Sequence, residues 1–306
     1  MKKVLITGAK GFLGSNIANH FAIMGYETYG IGHNNNTFFS GEKERNGLHY
    51  WRESDITVQA IKDINQAFDV IVHCGSGSSV GFSIENPYKD FKKTVDGTLK
   101  VLEYMRLYNP FAQLIYPSSP AVQGEYPDAP IKENYLGKPV SPYGYHKKIT
   151  EELCSAYLEM YGIKTKIIRL FSVYGNGLRK QLLWDACKKF LSERSEIEFW
   201  GTGNETRDFI HIDDVLSLID IVVHADKNFI VLNGGSGTRY IIFEVLLMIK
   251  TLLGSGAAIR FNNKINTGNP THYWADMSKL AKLGWTPKVK FEDGLKDYIE
   301  WVKKAI

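Results

Sequence analysis

Three glycines near the start of the chain restrict its fold more than any other feature. Gly8, Gly11 and Gly14 recur every third residue in Thr7-Gly8-Ala9-Lys10-Gly11-Phe12-Leu13-Gly14. The loop follows Val4-Leu5-Ile6, which reads as a buried strand, and opens a stretch that reads as a helix through about Met24. The first glycine permits a tight turn, the second lets backbone approach a pyrophosphate, and the third lets helix pack close to strand. Phe12 and Leu13 begin the helix, whose first N–H groups lack intrahelical partners and whose positive dipole end favours an anion. The position between a strand and a helix implies dinucleotide binding. The competing reading is a plain glycine-rich turn.

The first half of the chain continues the alternation. Glu27 to Ile31, Val70-Ile71-Val72, Gln113 to Tyr116 and Ile167 to Phe171 read as strands separated by helical segments. That order means βαβ units and a parallel sheet covered on both faces. From Pro87, the residues Tyr88, Phe91, Val95, Leu99, Leu102 and Met105 recur at helical spacing. Ser141 and Pro142 read as an N-cap and first helical position, with Ile149, Leu153, Tyr157 and Tyr161 following every fourth residue. After about Gly175, glycine-rich turns at 201–203, 234–237 and 267–270 loosen the pattern. The expected partition is a dinucleotide domain over 1–174 plus about 208–225, and a smaller substrate lobe over 175–207 and 226–306.

Bulk properties exclude several classes. The 37 basic and 33 acidic residues leave a net charge of +4, too mild for nucleic-acid binding. Cys74, Cys154 and Cys187 form neither a disulfide framework nor a metal-ligand spacing, which suits a reducing cytoplasm. No histidine pair has metal spacing either. The most apolar stretch, Tyr240 to Ile249, is interrupted by Glu244 and is too short to span a bilayer.

Tyr143 and Lys147, four residues apart at a helix start, share one face. A phenol is a poor base at neutral pH, but a nearby ammonium and a nicotinamide cation favour the phenolate. The pair gains weight from Ser118-Ser119 upstream, at the end of a strand. The alternative is two surface residues and a helix cap. Tyr145 has no such partner, because the fourth residue after it is Ile149. His73 reads as a strand-end packing residue rather than a catalyst.

The glycine loop and several further segments, in order, resemble the extended short-chain dehydrogenases, specifically the NAD-dependent epimerase/dehydratase family. These are Val72-His73-Cys74-Gly75, Tyr116-Pro117-Ser118-Ser119, Ser141-Pro142-Tyr143-Gly144, Arg169 through Gly175, Thr206-Arg207-Asp208-Phe209 and Trp285-Thr286-Pro287. The resemblance implies a Rossmann-type doubly wound parallel sheet with a smaller, mixed α/β C-terminal lobe. It also implies an enzyme acting on a nucleotide-diphosphate sugar, and a homodimer formed through the two apolar helices. Ser119 then matches the serine that bonds the reacting oxygen, Tyr143 the acid/base, and Lys147 its partner on the nicotinamide ribose. His73, Cys74 and Gly75 fall beside the cofactor, and Asp55-Ile56 resembles the adenine-pocket pair. Asp55 also fits a turn or cap.

Departures from the family pattern narrow the chemistry. A carboxylate that selects NAD normally ends the second strand, but Gly32 occupies that place. His33 and Asn34 offer hydrogen bonds to a 2′-phosphate, so NADP(H) is favoured over NAD(H); the alternative is that they simply form a loop. Family dehydratases carry an Asp-Glu pair after the catalytic hydroxyl, where this chain has Pro120 and Ala121. The 3,5-epimerase-reductases carry a cysteine at Pro120. Hydride chemistry at hexose C4 remains. Ser78 through Ser83, with Pro87, is similar to the GDP-4-keto-6-deoxymannose reductases and favours an NDP-4-keto-6-deoxyhexose reductase. A 4-epimerase is the alternative. A non-catalytic cofactor-binding regulator is a third, opposed by the intact Ser119, Tyr143 and Lys147. Ser78, Ser119, Ser172, Arg179 and Arg207 are the expected sugar-nucleotide contacts. Ser172 replaces a family asparagine, Gln123 a common tyrosine, and the region of Asn266 a late arginine.

Overall fold

The computed structural model describes residues 1–33, 47–192, 194–264 and 268–306. Its centre is one seven-stranded sheet. In chain order the first six strands are β1 (Lys3–Thr7), β2 (Glu27–Gly32), β3 (Tyr50–Glu53), β4 (Val70–His73), β5 (Gln113–Ser118) and β6 (Lys164–Leu170). They lie in the spatial order β6, β5, β4, β1, β2, β3, with Phe229–Gly234 outside β6. Every pairing is parallel. Strand order reverses between β1 and β4, so a crevice opens there at the carboxyl ends of the strands. The strand readings made from sequence hold.

Side chains alternate across a strand. Val4 and Ile6 of β1 therefore enter one apolar layer and Leu5 the other. Ile17, Phe21, Leu218 and Val222 close the first layer. Val101, Leu102, Met105 and Cys154 close the second. Each fully buried Leu or Ile contributes about 1.5–3 kcal/mol.

Two segments depart from expectation. The repeat starting at Pro87 predicts one continuous helix. Instead Pro87–Phe91 and Gly97–Tyr108 are joined by a wider π turn at Lys92–Asp96. The extra residue shifts the helical phase, leaving Tyr88 and Phe91 exposed while Val95, Leu102 and Met105 are buried. The second case is Phe229–Gly234, expected in the smaller lobe. Its parallel register with β6, Phe229 opposite Thr165 through Gly234 opposite Leu170, makes it a sheet edge.

The helix Ile212–His224 lies beside Phe12–Ile23, where Asp220 Oδ1 is 2.7 Å from His20 Nε2. Outside the sheet, Glu196–Phe199 pairs with Ala258–Phe261, and Thr206–Arg207 with Tyr240–Ile241. The helices Gln181–Phe190, Ile242–Leu253 and Phe291–Ala305 pack around these pairs. Buried Asp208 stitches this region together, accepting from Ser236 N at 2.6 Å, Gly237 N at 2.9 Å and Ala275 N at 3.1 Å.

Candidate active site

The glycine loop folds into the crevice beside β1. Gly8 has φ +64°, in the left-handed region that glycine alone enters freely. A Cβ on Gly8 would lie 2.9 Å from the Gly75 backbone, and one on Gly14 would overlap the Gly8 carbonyl. Gly8 thus faces Gly75 across the switch point, with no side chain between. Phe12 and Leu13 start a helix whose cap, Gly11, provides no side-chain acceptor. The first-turn amides are therefore not capped by a side chain, as an anion cradle requires. Thr7 Oγ1 accepts from Gly75 N at 3.1 Å and lies 2.7 Å from His73 Nδ1. Burial drives His73 down to about 3 and Cys74 up to about 12, so both are neutral packing groups. Ile56 covers Gly75.

Beyond β2, His33 Nε2 lies 2.7 Å from Asp55 Oδ1, and both side chains are exposed. The two predicted cofactor contacts therefore engage each other. Asn34 lies outside the described residues. Lys10 Nζ sits 5.0 Å from the Trp51 ring centroid on the same rim.

Ser119, Tyr143 and Lys147 converge at the carboxyl end of β5. Ser119 caps the short turn Pro120–Val122, its hydroxyl accepting from Ala121 N at 3.2 Å. Tyr143 stands in the first turn of the helix Pro142–Tyr161, which Ser141 caps and Pro142 begins. Its backbone N–H donates to Ser83 Oγ at 3.0 Å. Lys147, one turn later, donates to Ser76 Oγ at 2.8 Å and to the Pro117 carbonyl at 2.9 Å. Burial pushes the Tyr143 phenol up to about 12, with the Ser119 hydroxyl pulling the other way. Burial pushes Lys147 down to about 8, opposed by the Asp90 carboxylate. The helix is pinned to the sheet by buried Glu151, which binds Arg169 of β6 at 2.7 Å and accepts from Ser118 Oγ at 2.6 Å.

A cleft of about 650 Å³ runs from Ser119 and Tyr143 towards the smaller lobe. Ser78, Ser172, Lys180, Arg207 and Tyr273 line it. Arg207 donates to the Thr206 carbonyl at 2.7 Å and lies 6.0 Å from the Tyr273 ring centroid.

The sequence model of the NAD dependent epimerase/dehydratase family matches residues 4–233. The chain belongs to that family. A protein of Methanocaldococcus jannaschii, provisionally named a UDP-glucose 4-epimerase, is 32% identical over 98% of each chain. Among solved structures, the Thermotoga maritima UDP-glucose 4-epimerase with UDP-glucose aligns at TM-score 0.88 and 25% identity, covering 99% of each chain. The Bacillus cereus UDP-glucuronic acid 4-epimerase with UDP-glucuronic acid and NAD aligns at TM-score 0.87 and 26% identity, covering 99% of this chain and all of that one.

These names bear on two expectations for this epimerase/dehydratase. They are names of 4-epimerases, one of them provisional, so they support the alternative reaction better than the favoured reductase. The Bacillus cereus structure holds NAD, and the preference for NADP(H) finds no support. Gly32 registers only what β2 lacks. In space, the exposed Asp55 carboxylate, after β3, reaches His33 on the same rim.

The structure also redistributes the expected sugar-nucleotide contacts. Ser78, Ser119, Ser172 and Arg207 line the cleft. Arg179 does not; its guanidinium lies 5.9 Å and 5.7 Å from the Trp184 and Trp301 ring centroids. The adjacent Lys180 faces the cleft instead, donating to Ser78 Oγ at 3.2 Å. Gln123 is buried in a structural role, donating to the Lys132 carbonyl at 2.6 Å. Tyr273 went unnoticed in the sequence. It packs on Phe171 and brings a second buried phenol beside Ser119.

Proposed function

We propose that this protein is an NAD-dependent 4-epimerase of UDP-hexoses. The observation that carries the reading is the convergence of Ser119, Tyr143 and Lys147 where the glycine crevice meets the nucleotide-sugar cleft. The loop fits a dinucleotide: Gly8 meets the Gly75 backbone with no Cβ between them, Gly14 lets the helix pack against the Gly8 carbonyl, and the first-turn amides have no side-chain cap. Gly8, Gly11, Phe12, Leu13 and Gly14 would hold the pyrophosphate, and Lys147 the nicotinamide ribose. Bound NAD supplies reversible hydride acceptance at sugar C4.

The chain's own groups handle the proton and the orientation. Tyr143 takes the proton from the sugar 4-hydroxyl and returns it after the keto-sugar has turned over. Ser119 hydrogen-bonds the same oxygen. Lys147 places positive charge beside the phenol and favours its ionised form. Pro120 and Ala121 transfer no proton, so elimination of water has no agent there. Arg207 and Lys180 offer cationic donors for the diphosphate and sugar, and we place 229–234 with the dinucleotide domain. One observation favours the reductase instead: β2 ends at Gly32 without a carboxylate.

Mass spectrometry of the nucleotide released on denaturation separates the two. Tightly held NAD is expected, together with interconversion of UDP-glucose or UDP-glucuronate with its C4 epimer. An empty protein that oxidises NADPH with 4-keto-6-deoxy sugars refutes the epimerase. Tyr143→Phe should lower turnover at least about a hundredfold while bound NAD is retained.

A further inference from the structure

Beneath the proton-transfer pair lies a carboxylate that the reaction above does not use. Asp90 is fully buried, with no exposed surface. Its Oδ2 lies 2.6 Å from His146 Nδ1, on the residue preceding Lys147 in the helix. Its Oδ1 has no hydrogen-bond partner and rests against Gly77, where any Cβ would overlap it. The neighbouring Ser76 accepts the Lys147 ammonium. The carboxylate therefore lies against the residue before Lys147 on the helix and beside the Ser76-Gly77 backbone that holds the ammonium. An ionised carboxylate so deeply buried is costly unless cations compensate it.

We propose that Asp90 is a positioning residue that holds positive charge on Lys147 and so sets the pH range in which Tyr143 can exchange its proton. The proposal rests on the roles given above to Tyr143 and Lys147. Other groups facing Lys147 are weaker sources of negative charge. Glu151, on its own helix, is already neutralised by Arg169. The thiol of Cys74, after β4, is pushed up to about 12, and that of Cys154, on the same helix, also rises through burial. Tyr116 of β5 presents its ring face, 4.6 Å from Lys147 Nζ, and burial keeps its phenol protonated. Asp90 itself is faced by His146, Lys147 and Tyr143. It raises the pKa of both Lys147 and Tyr143.

Asp90→Asn keeps the shape and removes the charge. The basic limb of the pH–rate profile and the Lys147 titration beneath it should move to lower pH by about one unit, a roughly tenfold loss on that limb. Replacing the pair by apolar groups, Asp90→Leu with His146→Phe, should move them the same way if the single variant folds poorly. The titration of Lys147 is read independently of activity from the ¹³Cε resonance of lysine-labelled protein, assigned by its loss in Lys147→Met. That resonance should titrate about one unit lower in the variants. An unmoved Lys147 titration overturns the proposal, whatever the activity. A rate lowered equally at every pH also overturns it and makes Asp90 a structural residue. If Lys147 moves but Tyr143→Phe remains active, the electrostatic role of Asp90 stands and the catalytic assignment of Tyr143 fails.

Discussion

Replacing Glu151 by Leu tests how the reaction centre is held in place. The carboxylate accepts from Arg169 Nε at 3.1 Å, from the terminal nitrogen at 2.7 Å and from Ser118 Oγ at 2.6 Å. Both charged side chains are about nine-tenths buried. The substitution leaves the guanidinium in a low-dielectric interior with one remaining acceptor among the described residues, the Glu133 carbonyl at 2.8 Å. Breaking one side of such a pair costs about 3–5 kcal/mol. Unfolding entropy near the melting point is about 2.1 cal/mol/K per residue, or about 0.64 kcal/mol/K for 306 residues. A cooperative melt should therefore fall by about 5–8 °C in calorimetry. Replacing both partners, Glu151→Leu with Arg169→Met, should recover most of the loss. The remainder reflects the Glu133 carbonyl left without its donor, about 1–3 kcal/mol. A single variant that melts within about 1 °C of the parent would refute the reasoning, because the entropy conversion would then assign the pair under 1 kcal/mol. So would a double variant that melts lower than the single one, since restoring charge balance would have achieved nothing.

Gly8→Ala should abolish nucleotide co-purification, since its Cβ meets the Gly75 backbone at 2.9 Å and the left-handed conformation adds about 1–2 kcal/mol; absorbance of the heat-released fraction checks it. Because His73 is held near 3 when folded and titrates near 6.5 when unfolded, the unfolded chain binds the extra proton between those values. Stability should fall as pH drops through that window, by about 1.4 kcal/mol per unit from this residue. Denaturant titrations of His73→Gln should show a shallower acid dependence. Turnover should decline above about pH 8, where buried Lys147 loses its proton, and a profile flat to pH 10 contradicts that role. Asp208→Ala removes the acceptor of three backbone N–H groups and should lower the melting temperature by about 5 °C or more, with weakened UDP-sugar binding in calorimetric titration.

What could be read from the sequence was local. The glycine loop and the Tyr143/Lys147 pair are spacings within one turn, and a spacing survives whatever packs around it. Ser119 was legible because it follows a strand. The π turn at Lys92–Asp96 was not, since one added residue barely alters an apolar repeat. Arg179 and Lys180 are adjacent cations, and which one faces the cleft depends on backbone direction. That direction is fixed by Gly177 at φ +99° and Gln181 at φ +69°, which no composition rule reveals. Tyr273 reaches Ser119 from 154 positions along the chain, carried by the Asp208 stitching at Ala275. The His33–Asp55 contact likewise joins two strand ends through tertiary pairing.

The hydrogen bond between the Tyr143 amide and Ser83 has a mechanical consequence. Ser83 also donates to the Val80 carbonyl at 2.7 Å, so the cleft wall at 78–81 is clamped to the first turn of the helix that carries Tyr143. The cleft works as a vice with one fixed jaw. The cleft residues Phe199, Trp200 and Gly201 belong instead to the smaller lobe. In the proposed reaction, widening to admit or release a nucleotide sugar then falls to that side, while the Tyr143 phenol keeps its place.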